Sequence, residues 1–197
     1  MSPDQISALI DAAAAAIAAN AEELTRLDQA IGDGDHGSNM ARGFQAIAAQ
    51  RDALAALPAG DALQKAGMVL VTTVGGASGP LYGSLLMGIG KGLKAGKPPA
   101  EACAEGVDSV KKRGKSDVGA KTMLDVLMPV LDAFSAGAGT ADLRRIASES
   151  REATKPMLAT RGRASFLGER SIGHHDPGAT SACLLIHVAC DVLESAS

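Results

Sequence analysis

Apolar residues return at helical spacing in eight successive stretches of this chain and nowhere alternate with period two, so its core has to be built from helices alone. The first stretch opens on Ser2-Pro3-Asp4-Gln5. Ser2 is placed to cap, Pro3 fits the first helical position and Gln5 can reach back to the cap. Ile6, Leu9, Ile10, Ala13, Ile17, Leu24 and Leu27 then share a face, and the alanine-rich segment 12–19 is simply good helix former. Further helices are predicted over 38–56, from a cap at Asp61 to Val74, over 81–93 and over 100–112. A sixth carries Met123, Leu124, Leu127, Val130, Leu131 and Phe134, with a kink expected at Pro129. A seventh runs from near Asp142 to 158. The last, 179–193, is apolar almost all round and should be central. A chain of 197 residues can bury such a core as one domain spanning 1–197, without staples. The fold class is all-α.

The breaks between helices carry the chemistry. Residues 28–40 read DQAIGDGDHGSNM, with Asp28, Asp33 and Asp35 inside eight residues and Gly32, Gly34 and Gly37 around the last two. In an extended segment alternate side chains share a side, so Asp33 and Asp35 can aim together while Asp28 closes a third corner from the preceding helix. Clustered carboxylates repel unless a cation lies between them, and Mg²⁺ prefers such oxygens. A dinucleotide loop is a poorer reading of GDGDHG, because a helix precedes it and two aspartates intervene. An EF-hand fails because Gly37 and Phe44 stand where ligands are needed. A solvated acidic helix–helix turn is the plain alternative.

Two further breaks invite anions. Val74-Gly75-Gly76-Ala77-Ser78-Gly79-Pro80 precedes an apolar helix, and its exposed N–H groups suit phosphate. A glycine-mediated turn explains it equally well. Lys111, Lys112, Arg113 and Lys115 could meet phosphate, though basic residues at a helix C-terminus also answer the dipole. Residues 159–176 show no periodic segment, and connections this long are uncommon without a functional reason. They carry Arg161, Arg163, Glu169, Arg170, His174 and His175. Loop hydrogen bonding suffices for the two histidines, whereas arginines on a mobile loop suit phosphoryl transfer. Asp176-Pro177-Gly178 then starts the last helix.

A net charge of −3 and 2% aromatic residues without Trp argue against nucleic-acid binding. Cys103, Cys183 and Cys190 form no disulfide framework, and the last two read as buried thiols. No signal peptide is recognised, and apolar runs break before spanning length, so no membrane contact and a cytoplasmic location are expected.

GDGDHGSNM, VGGASGPLYG, RGKSDVGAKTMLDV and GRASFLGERSIGHHDPGATS, in that order and over essentially the whole chain, resemble the nucleotide-binding L subunit of dihydroxyacetone kinase. The same domain forms the C-terminal half of single-chain ATP-dependent kinases. The resemblance implies a barrel of eight antiparallel helices with the nucleotide site at one end and two Mg²⁺ ions there. It implies Asp28, Asp33 and Asp35 as metal ligands. It implies nucleotide contacts at His36, Gly37, Ser38, Asn39, Ala77, Ser78, Gly114, Met123, Arg163, Asp176, Pro177 and Gly178, with Gly114 and Met123 in the nucleoside pocket. Arg163 would also act catalytically, neutralising charge on the transferred phosphoryl group. Gly34 stands where the family often has Ala, and His175 where Gln is common.

By the same resemblance the ketose is bound covalently through a histidine of a separate K subunit, without which this chain is half an enzyme. The nucleotide is either ADP recharged in place by a phosphocarrier M-type subunit or exchangeable ATP. The acceptor is dihydroxyacetone or another ketose such as erythrulose. A non-catalytic nucleotide-sensing partner of a regulator is the alternative of a different class. Fatty-acid kinases use a related domain, but the long arginine loop favours a ketose kinase. The oligomeric state, a homodimer included, stays open.

Overall fold

The first helix begins where its signals stand. Ser2 Oγ accepts the Gln5 amide at 3.2 Å, and the Gln5 side chain accepts the Ser2 amide at 2.7 Å. Such a capping pair stabilises a helix by roughly 1 kcal/mol. The computed structural model describes residues 1–195 and contains no strand among them. Helix α1 (Pro3–Ala19) meets α2 (Ala21–Ile31) at Asn20, so the single helix expected to Leu27 is interrupted there. Asn20 turns its side-chain amide back onto the Ala16 carbonyl at 2.8 Å, a local bond that competes with the helix ladder. The predicted helix over 38–56 is likewise divided, into α3 (His36–Ala48) and α4 (Arg51–Ala55), and starts two residues earlier than expected.

Helix α5 (Ala59–Thr73) starts after Pro58, and Asp61 lies in its first turn rather than capping it. Helices α6 (Ser78–Lys94) and α7 (Pro99–Gly114) follow. Helix α8 (Leu124–Ser135) continues through Pro129. Helix α9 (Thr140–Ala153) ends five residues short of the prediction, because Lys155-Pro156 follows and the residue before a proline is driven from the helical region. Helix α10 (Pro177–Ser195) closes the chain. The 159–176 stretch is not irregular throughout, since Arg163–Ser171 winds as 3₁₀ turns across a kink at Gly168.

Helices α1, α3, α5, α6, α7, α8, α9 and α10 each pack on the next, and α10 packs back on α1, which closes an eight-membered ring. Consecutive members joined by short connections run antiparallel. The connections α2–α3, α5–α6, α7–α8 and α9–α10 therefore all emerge at one end of the barrel. Ile17, Leu24, Leu70, Leu124 and Val126 are buried inside it. Each such side chain stabilises the fold by roughly 1.5–3 kcal/mol on burial. Close approach of α5 to α6 demands glycine. A Cβ on Gly67 would lie 2.7 Å from the Gly83 carbonyl oxygen, and one on Gly83 equally near that of Gly67. Helix α10, at 19 residues with mean hydropathy 1.2 over an 18-residue window, has the length and composition of a membrane span, contrary to the expectation that every apolar run breaks first. In the fold it is a wall of the ring, packed on α1, α2, α8 and α9.

Candidate functional site

The last turn of α2 presents Asp28, and four residues, Gly32 to Asp35, carry the chain into α3. Gly32 is required because a Cβ there would sit 2.0 Å from Asp28 Oδ1, and Gly34 takes the left-handed φ of +76° that reverses the loop. Asp28 Oδ2 accepts the amides of Asp35 at 2.9 Å and His36 at 3.1 Å. This folds the loop back on the helix and aims one carboxylate oxygen from each of Asp28, Asp33 and Asp35 into a cluster no wider than 4.8 Å. Asp28 is buried and Asp33 is exposed. Three acidic oxygens converging from a buried floor and an open rim are the donor set of a hard divalent cation, so the residues fit Mg²⁺.

His36 faces inward. Its Nδ1 lies 2.9 Å from Ser78 Oγ and its Nε2 2.9 Å from Ser181 Oγ, which ties the first turns of α3, α6 and α10 together. Tyr82 Oη extends the network to Ser181 Oγ at 2.7 Å and donates to the Gly178 carbonyl at 3.2 Å. Burial lowers the His36 pKa against the raising influence of Asp28 and Asp35, and burial raises that of Tyr82. Both side chains are therefore neutral links. The convergence leaves three helix N-termini, at His36, Ser78 and Pro177, at the acidic cluster's end of the barrel, where their dipoles favour anions.

Around this centre the other predicted residues fall as follows. Gly37 starts α3 hard against α2. Ser38 Oγ donates to the Asp35 carbonyl at 2.9 Å. Asn39 is buried, holds the Arg42 guanidinium through Oδ1, and lies with Asp35 about Gly76, whose Cβ would be 3.8 Å from Asn39 Nδ2 and 4.0 Å from Asp35 Oδ1. Ala77 is exposed in front of α6. Met123 is buried in the main core. It lies against Gly178, where an added Cβ would meet Met123 N at 3.6 Å and Met123 Cβ at 3.7 Å. Gly114 is exposed at the end of α7, against Leu81. A cleft of about 470 Å³ opens there, lined by Lys111, Lys115, Ser116, Val118, Thr160 and Arg161. A larger cavity of about 630 Å³ lies between α2, α9 and α10, lined by Ser148, Arg151, Cys183 and His187 among others. It includes none of the clustered aspartates.

The late loop lies on the acidic one. Ala164 and Leu167 pack with Ala159 against Ile31 of α2, and Arg163 Nη2 meets Asp33 Oδ2 at 3.0 Å. His175 pairs with Glu152 at 2.9 Å and Lys111 with Asp117 at 2.8 Å, the local partners that suffice for both. Asp176 is buried, accepts the Ala179 amide at 2.7 Å through Oδ2, and caps α10. Burial pushes its carboxyl up to about 7. Asp125 and Asp28 push the same way, against the Ala179 amide and Lys121. Sequence reasoning missed Tyr82, Ser181, Lys121 and Asp125. The first two carry a weak signal, a hydroxyl four residues after the start of α6 and of α10.

The DAK2 domain model matches residues 30–191. The ADP-binding subunit DhaL of PEP-dependent dihydroxyacetone kinase 1 from Listeria innocua is 45% identical over 172 residues, 85% of each chain. The corresponding Escherichia coli subunit is 39% identical over 180 residues, 85% of this chain and 86% of its own. L-Erythrulose 1-kinase of Mycolicibacterium smegmatis is 37% identical over 181 residues, 85% of this chain but 32% of that protein. The crystal structure of the dihydroxyacetone kinase from C. freundii in complex with AMP-PNP and Mg²⁺ superposes with a TM-score of 0.78 at 24% identity. It covers 94% of this chain, which spans about a third of that protein, and the likeness is one of fold. The chain belongs to the DAK2 domain family, among the subunits of dihydroxyacetone kinases.

Proposed function

We propose that this chain is the nucleotide-binding, phosphoryl-transferring subunit of a dihydroxyacetone kinase, passing phosphate to a terminal hydroxyl of dihydroxyacetone held on a separate K subunit. The observation that carries the reading is the cluster of Asp28, Asp33 and Asp35 within 4.8 Å, set among three helix N-termini. Asp28, Asp33 and Asp35 would hold Mg²⁺, two ions by the family resemblance, which when bound screens phosphate charge and fixes phosphate geometry. Asp28 has Oδ2 committed to two amides, so its Oδ1, in the space that Gly32 leaves, is the oxygen free for a cation.

His36 fixes Ser78 and Ser181 and so holds the α6 and α10 N-termini toward the same phosphates. Gly37, Ser38, Asn39, Ala77, Ser78, Asp176, Pro177 and Gly178 surround them. Gly114, the cleft beside it and Met123 take the nucleoside. Arg163, on an exposed loop, turns from Asp33 to phosphate oxygens and neutralises charge in the transition state. In this reading the subunit works in the cytoplasm and is inactive without its K partner. A phosphocarrier M-type subunit recharges ADP in place if the donor is PEP-derived, as in the names of the Listeria innocua and Escherichia coli relatives. The matched erythrulose kinase supports a second reading in which the partner presents a four-carbon ketose, the role of this chain being unchanged.

The test is to denature freshly purified protein and identify released nucleotide before and after dialysis against EDTA. ADP near one per chain, lost with EDTA, supports a metal-held cofactor. Empty protein that takes up Mg²⁺–ATP supports exchange. Well-folded protein that holds neither in the presence of Mg²⁺ would sink the reading.

A further inference from the structure

Lys121 is 1% exposed and its backbone is left-handed at φ 61°. A long charged side chain is seldom buried, and a non-glycine residue at positive φ is strained, so two costs coincide at one residue. Its ammonium shows what they serve. Nζ donates to the carbonyls of Ser171 at 2.6 Å, Met157 at 3.1 Å and Lys155 at 3.4 Å, which lie on both flanks of the arginine-bearing loop. Ser171 completes the join: its Oγ accepts the Ala159 amide at 3.0 Å and donates to the Gly168 carbonyl at 2.7 Å. Two backbone bonds lie at the same level, Thr160 N to Ala120 O at 3.2 Å and Gly173 N to Lys155 O at 2.8 Å. The turn that supplies Lys121 is itself fixed, because Asp125 accepts the Gly119 amide at 2.6 Å and the Thr122 amide at 2.7 Å.

Beyond this base the loop is anchored by Ala164 and Leu167 on Ile31, and its tip is open. Gly162 and Gly168 bend it at φ +68° and +57°, and Phe166 at its tip is 88% exposed. Arg163 reaches Asp33 from just past the first bend. A rigid base with a light tip places one side chain and leaves it free to turn.

We propose that Lys121 and Ser171 form a clasp that positions the arginine loop, and that they act on nucleotide through Arg163 rather than by touching it. The inference rests on the nucleotide reading above for its second half only. The state of the clasp is readable without any ligand.

Of the four aromatic residues Phe166 is the exposed one, Tyr82 and Phe44 being buried and Phe134 half-buried within α8, so chymotryptic cleavage after Phe166 itself reports on the loop. In nucleotide-free protein of unchanged far-UV circular dichroism, Lys121→Met should speed cleavage after Phe166 by about tenfold. It should weaken Mg²⁺–ADP binding by about tenfold as well, yet by less than about twofold in an Arg163→Met background, since coupled residues are not additive. Lys121→Arg, which keeps the donors, should recover part of both losses. Unchanged cleavage, or losses that multiply across the double variant, would overturn the proposal. Should Lys121→Met not fold, Ser171→Ala carries the same two readouts: faster cleavage with coupling to Arg163 supports the clasp, and wild-type cleavage refutes it. Wild-type protein that binds no Mg²⁺–ADP would defeat the nucleotide reading while the cleavage result still decides the clasp.

Discussion

Asp176→Asn offers a test in which stability and function move in opposite directions. The carboxyl is buried at the start of α10, accepts the Ala179 amide at 2.7 Å, and is raised from 3.8 to about 7, mainly by burial. A carboxyl that titrates higher in the folded chain than in the unfolded one keeps its proton longer on folding. Between pH 4 and 7 the folded state therefore binds more protons, and stability falls as pH rises. Above pH 7 the carboxylate is ionised in both states and the full penalty stands. At about 1.4 kcal/mol per tenfold change in proton affinity, the interval from 3.8 to about 7 is worth on the order of 4 kcal/mol as an upper bound. Asparagine keeps an acceptor for the Ala179 amide and removes the charge. Urea unfolding in EDTA should show the variant more stable than wild type at pH 8 by roughly 1–4 kcal/mol, with the difference vanishing near pH 4. Carboxyls remote from Asp176 cancel in the difference, so its pH dependence reports on Asp176 together with the charges coupled to it, Asp125, Asp28 and Lys121. A difference independent of pH, or a variant less stable at pH 8, would refute the argument. Mg²⁺–ADP affinity should fall in the same variant, which would make the buried charge a stability cost borne at the binding end.

Arg163→Met should bind Mg²⁺ alone up to about fivefold more tightly, because an exposed pair worth at most about 1 kcal/mol no longer competes for Asp33. The same variant should bind Mg²⁺–ADP more weakly, and calorimetric changes of one sign for both ligands would defeat the assignment. Gly37→Ala puts a Cβ 1.9 Å from the Ala21 carbonyl oxygen and 2.5 Å from Thr25 Oγ1, so it should lose at least about 1–3 kcal/mol in chemical denaturation. An unchanged midpoint would mean that α2 and α3 cross less closely than described. Burial raises all three thiols, but Cys183 and Cys190 are buried while Cys103 is partly exposed, so a colourimetric thiol reagent at pH 8 should modify Cys103 first. Equal rates at the three would show that the α9–α10 wall opens readily.

What could be read from the sequence divides along the range of the interactions. The walls of the barrel were legible because each helix repeats its own apolar period, and the Ser2 cap because its partners lie three residues away. The acidic cluster was legible for the same reason: Asp28, Asp33 and Asp35 are neighbours in the chain before they are neighbours in space. The break at Asn20 was not, since nothing in the alanine-rich run before it lowers helix propensity. The 3₁₀ segment was missed because only Ala164 and Leu167 of it face Ile31, too few to establish a period. His36 and Ser78 were expected as separate nucleotide contacts, yet their bond to each other, and through Ser181 to α10, joins residues 42 and 145 positions apart. Lys121 is the extreme case. In the sequence it is a lysine in a polar turn, indistinguishable from a solvated one, because the three carbonyls that bury it come from residues 155, 157 and 171. The acidic cluster was written locally, in side chains that any reader of the chain can group. The alignment of the arginine loop depends on backbone carbonyls, and these have no letter in the sequence. Residues that position a loop through main-chain oxygens are therefore where a sequence argument fails first, and a buried, strained, charged residue is the structural sign by which to find them.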